Sequence, residues 1–159
     1  MIYVIKIMLL IFGSVALQTT LIAHISIFGS KPDLPLALTV SIALFRGSMQ
    51  GESVGFASGL LCDLASGGPF IGIQSFSKVL VGYSIGLLKI RFYSDNIITQ
   101  LLSGFTAAMA DKLIVFLCLV FLNFPFPHIR FWGLILTAAI SSVFVPIIYV
   151  ALKGLKGLK

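Results

Sequence analysis

The chain has 159 residues, of which 58% are hydrophobic and 10% charged, against roughly 25% charged residues in a soluble domain. Its mean hydropathy is +1.11, which leaves too few polar side chains to cover a water-facing surface and excludes a soluble enzyme, a disordered tail and a nucleic-acid-binding domain. The formal charge of +6 fits the excess of Lys and Arg that membrane proteins keep in their cytoplasmic loops.

A helical crossing takes about 20 apolar residues, so six crossings use about 120 and leave no room for a soluble domain. The sequence predicts an all-α, six-helix transmembrane bundle in one domain, residues 1–159, with spans near 5–28, 34–45, 51–64, 70–88, 97–124 and 131–152. The first apolar run, Ile7 to Phe28, is too long for a signal-peptide core and has no small-residue cleavage site, so it stays as a helix. It ends at Gly29-Ser30-Lys31-Pro32-Asp33, because proline disfavours helix in the residue before it. The second span ends at Arg46-Gly47-Ser48-Met49-Gln50 and the third at Ala65-Ser66-Gly67-Gly68-Pro69. A proline-rich turn, Phe124-Pro125-Phe126-Pro127-His128, separates the last two spans, and lysines close the chain.

Residues 34–64 are only 31 positions for two crossings that ordinarily take about 40. Two short helices fit, and so does one kinked span. Basic residues decide for six spans. Lys6, Arg46, Lys89, Arg91, Lys153, Lys156 and Lys159 then lie inside, with only Lys31 and Arg130 outside. A five-span chain buries Arg46 in hydrocarbon at a cost of about 2.5–3.5 kcal/mol. Both termini are therefore expected in the cytoplasm, with Trp132 at the outer boundary and Tyr93 and Tyr149 near the inner one, where amphipathic rings prefer to lie.

Gly51, Gly55 and Gly59 recur every four residues and Asp63 continues the row; Lys78, Gly82 and Gly86 repeat the pattern in the next span. Such spacing strips one helical face of side chains and lets another helix approach closely in lipid. Packing between the third and fourth helices is the favoured reading, and a partner-binding face is the other. Asp63, Lys78, Asp111 and Lys112 lie inside spans, where an uncompensated charge is expensive. Depth along the helices allows a Lys78–Asp63 pair, with Asp111 competing for the same lysine. The neighbours Asp111 and Lys112 point about 100° apart on a helix of 3.6 residues per turn and are expected to close on each other poorly. Asp63, Ser66, Gln74 and Lys78, with Gln18, form either a polar site in the outer half of the bundle or a set of register-fixing bonds. The glycine-rich turn after Asp63 suits either an anion cradled at the next helix's amino end or a plain tight hairpin. His24, His128, Cys62 and Cys118 lack the clustered partners of a metal or nucleophilic site, so neither metal nor cofactor is expected.

Several of these residues together resemble a known family. Lys31-Pro32-Asp33, the Arg46-Gly47 turn, Gly55-Phe56-x-x-Gly59-Leu60-x-x-Asp63-x-x-Ser66-Gly67, then Gly72 and Val81-Gly82-Tyr83 look like the MreD family of bacterial rod-shape-determining membrane proteins. Asp111 stands where members of that family can carry an intramembrane acid. The resemblance implies a non-enzymatic inner-membrane subunit that binds MreC and, through it, connects MreB filaments with the RodA glycosyltransferase and its penicillin-binding-protein partner. It also implies a fold related to the vitamin-binding subunits of energy-coupling-factor transporters. The alternative function is therefore small-molecule binding for such a transporter. The scaffold reading has a partner's transmembrane helix docking on the glycine rows, with Arg46 and Lys78 as secondary contacts.

Overall fold

The computed structural model describes residues 2–20, 31–67, 71–89, 96–123 and 131–154. Six helices form there: α1 (Ile2–Thr20), α2 (Leu34–Arg46), α3 (Ser48–Ser66), α4 (Ile73–Leu88), α5 (Ile97–Phe121) and α6 (Phe131–Gly154). No strand occurs among the described residues. The outer ends of the first and fifth predicted spans, the start of the fourth, the turn at Gly68-Pro69, Arg91 and Tyr93, the prolines, His128 and Arg130 before α6, His24, and the last lysines lie outside the described residues.

The organising element is α2. It touches all five other helices, while these approach one another in the order α1–α3–α4–α5–α6; among the described residues the backbones of α1 and α6 do not come close. Ten of its 13 residues, Pro35 to Leu44, are buried, as expected of a helix that is apolar all round. At 1.5 Å per residue it is about 20 Å long, well short of the roughly 30 Å hydrocarbon core of a bilayer. Its start is fixed by Asp33, whose carboxylate accepts the Leu36 N–H at 3.0 Å, and by Pro35 in the first turn. Its end is held by Lys89, whose ammonium donates to the Phe45 carbonyl at 2.7 Å, a cation at a helix carboxyl end.

The reversal into α3 is tighter than the five-residue turn expected at 46–50. Gly47 alone makes it, at φ 101°, a conformation that a residue without Cβ adopts freely. The chain then runs back, with Thr39 Oγ1 and Ser58 Oγ 3.2 Å apart. Residues 34–66 are thus an antiparallel helix pair, and the single kinked span is ruled out. Helices α3 and α4 form the closest contact in the bundle. A Cβ on Gly51 would stand 2.6 Å from the Gly82 carbonyl oxygen and from Ala43 Cβ; one on Gly55 would strike the Lys78 carbonyl, one on Gly59 the backbone of Ser75, one on Gly82 the Gly51 carbonyl and one on Gly86 the backbone of Ser48. Gly104 plays the same part between α5 and α6, against Val145 and Ser142.

The polarity is that of a protein in lipid. Phe121 is 88% exposed and Trp132 81%, while Lys78 is 0% exposed. Among the described residues two helices, Ile97–Phe121 and Trp132–Gly154, are long and apolar enough to cross a membrane. Tyr149 is buried, edge-on to Phe45 at the Arg46 end of α2, with centroids 5.8 Å apart, so its ring packs against α2 rather than pointing out of the bundle.

Candidate functional site

Four charges from three elements close into a ring. Lys78 of α4 lies 3.1 Å from Asp33 at the head of α2 and 3.8 Å from Asp111 of α5; Lys112 of α5 lies 3.3 Å from Asp111 and 3.8 Å from Asp33. Two acids and two bases cancel, which makes burial in a low-dielectric interior tolerable. Hydrogen bonds complete the satisfaction. The Ser77 hydroxyl donates to Asp111 Oδ1 at 2.8 Å, and the Asp33 N–H donates to the Ser141 hydroxyl of α6 at 3.0 Å. The ring therefore ties α2, α4, α5 and α6 at one depth.

Two expectations are corrected here. Lys78 pairs with Asp33 and Asp111 rather than with Asp63, because Asp33 lies at the amino end of a central helix that starts deep in the bundle. Asp111 and Lys112 do close on each other, because the four-carbon lysine stem carries its ammonium back across the angle between their Cα positions. From sequence, Asp33 reads only as part of a turn and of the family motif, not as a site residue. Its signal was an Asp two positions before Pro35, the signature of a helix start.

Asp63 does something else. Its carboxylate accepts the backbone N–H groups of Gly72 at 2.8 Å, Gln74 at 3.3 Å and Ser75 at 3.2 Å. It stands in for the side-chain cap that Gly72 lacks and satisfies orphan donors at the start of α4, where the helix dipole also favours a negative charge. The anion cradled at this amino end is the chain's own.

The other polar candidates line a cleft of about 320 Å³ that includes Gln18, Ser66, Gln74, Asp33 and Lys112. Gln18 also clamps the start of α2, donating to the Pro32 carbonyl at 2.8 Å and accepting the Leu34 N–H at 3.1 Å. Arg46 sits at the other end of α2, its guanidinium 6.0 Å from the centre of the Phe45 ring. The glycine rows Gly51-Gly55-Gly59 and Gly82-Gly86 are enclosed between α3 and α4. A partner helix cannot use that face without parting the two helices, which corrects the docking mode expected from sequence. Among the described residues no group of three His, Cys, Asp or Glu side chains converges at metal-binding distance.

An apolar exterior, a balanced ionic interior and helices long enough to cross hydrocarbon define a helical membrane protein built around a buried polar network. A family model described as rod shape-determining protein MreD matches residues 1–154, nearly the whole length. The chain belongs to the MreD family. Membership gives it a role in determining rod shape, in a membrane-associated family of structural components rather than enzymes. No curated protein and no solved structure matched the chain, so the likeness to energy-coupling-factor transporter subunits gains no support.

Proposed function

We propose that this chain crosses the bacterial inner membrane six times, with both termini in the cytoplasm, and acts as a non-catalytic scaffold of the elongation machinery. In this reading it binds MreC directly and, with it, links MreB to the RodA–penicillin-binding-protein synthase and so regulates peptidoglycan synthesis. The observation that carries the reading is the family match over residues 1–154; the lipid-like exterior and the distribution of basic residues support it.

With the glycine rows enclosed, the lateral contact is better placed in the apolar groove of about 240 Å³ between α4 and α5, lined by Leu80, Ser84, Leu88, Thr106, Ala110 and Ile114. Ser84, Thr106 and Ala110 are small and face outward, so a helix can come close there. The test is purification of the tagged full chain from bacterial membranes, with identification of what travels with it. MreC should be recovered, and Ala110→Phe should reduce that recovery at least fivefold while the chain itself stays folded. Recovery of the folded chain without MreC, MreB or RodA contradicts the scaffold reading; undiminished recovery with Ala110→Phe contradicts only the groove.

A further inference from the structure

The head of α2 lies far below the end of the bundle. Its Asp33 reaches Ser141, which is ten residues into α6 and so about 15 Å from the start of that helix at 1.5 Å per residue. A cleft lies beside that point, with Asp33 and Lys112 of the ring in its wall.

The groups in that space are not evenly matched. Asp33 is taken by the Leu36 N–H and by Lys78, and Asp111 by Ser77 and Lys112. Asp63 nearby is committed to three backbone N–H groups of α4 and its approach. The hydroxyls of Ser66 and Thr137 donate away, to the carbonyls of Cys62 and Gly133. Among the described residues, two ammonium groups face the cleft with solvent access: Lys31 is exposed, and the Lys112 side chain is 34% exposed. Gln74 adds an amide to the same wall. Lys31 and Lys112 against Asp33 leave the charged lining with one positive charge in excess, and ammonium groups with spare donors favour an acceptor of negative charge.

We infer that this cleft binds one carboxylate, through Lys112 and Lys31. Its volume of about 320 Å³ stands at the lower end of small-molecule pockets, so the carboxylate belongs to a small acid or to one acidic side chain.

Single cysteines at Thr137→Cys and, separately, Ser66→Cys are placed in the full chain carrying Cys62→Ala and Cys118→Ala. Rates of modification by a sulfonate-bearing and a trimethylammonium-bearing methanethiosulfonate are compared in detergent. The sulfonate is expected to react about tenfold faster relative to its rate on a free thiol, with the preference shrinking at high salt. Lys112→Gln should remove most of the preference. Lys31→Gln, at an exposed position, should reduce it without touching the ring. Equal rates, or a faster ammonium reagent, overturn the site. Protection by succinate supports it and assigns a free small carboxylate. Protection by a blocked alanine–glutamate–alanine peptide and not by succinate supports it and assigns an acidic side chain. Protection by neither overturns it.

Discussion

Lys78→Met leaves two carboxylates, Asp33 and Asp111, sharing Lys112 alone, with the ring one negative charge out of balance. Lys78 is 0% exposed, so water cannot compensate. Removing one partner of a buried ion pair costs about 3–5 kcal/mol, and at this chain length each kcal/mol shifts the midpoint about 2–4 °C. The expected fall in melting temperature is therefore about 10 °C, read by thermal loss of the monodisperse peak of detergent-solubilised protein. The informative step is the second substitution. Asp33→Asn keeps a side-chain oxygen for the Leu36 N–H, since asparagine caps helices about as well as aspartate, yet it removes the charge. Lys78→Met with Asp33→Asn leaves only Asp111 and Lys112, which cancel, and should recover more than half of the loss. Lys78→Met with Asp63→Asn should recover nothing, because Asp63 is committed to the start of α4. Rescue by Asp63→Asn and not by Asp33→Asn would refute the ring and restore the pairing expected from helix depth.

Two further outcomes test the packing. Gly55→Ala should abolish the monodisperse species, because the new methyl meets the Lys78 carbonyl and neither backbone can withdraw; Gly13→Ala, with open space around it, should keep that species and raise its midpoint slightly, in line with the roughly 1 kcal/mol advantage of alanine over glycine inside a helix. Asp63→Ala should cost about 2–3 kcal/mol by stranding N–H groups that Asp63 accepts, seen as lower thermal stability and faster amide exchange at the start of α4, whereas Asp63→Asn should cost less than half of that.

Some of this arrangement is readable along the chain and some is not. Apolar runs broken by glycine and proline place six helices, since each break acts locally. The four-residue glycine spacing is visible for the same reason, though nothing in it names the helix that fills the space. Pairing across the bundle depends on how deep each helix starts, and here α2 departs from the others. Asp33 sits in a stretch that looks like an ordinary turn, yet the turn is drawn in to meet Ser141 and Lys78. Reckoning depth only along the helices that carry Asp63 and Lys78 paired those two and left Asp33 out. Asp111 and Lys112 misled differently: an angle between Cα positions says little about where a long lysine side chain ends. Gly104 had no repeat to draw attention to it, and its contact with Val145 and Ser142 emerges only when α6 is in place.

The order of the ring residues along the chain bears on how the protein is made. Asp33 emerges from the ribosome 45 residues before Lys78, so the lysine finds its counter-ion already synthesised when its own helix reaches lipid. Asp111 is followed at once by Lys112 and enters the bilayer as a self-neutralising dipeptide. Neither late-arriving helix has to bring an ion into the acyl chains ahead of its counter-charge, and the finished ring joins one pair completed in order of synthesis with another that is neutral from the start.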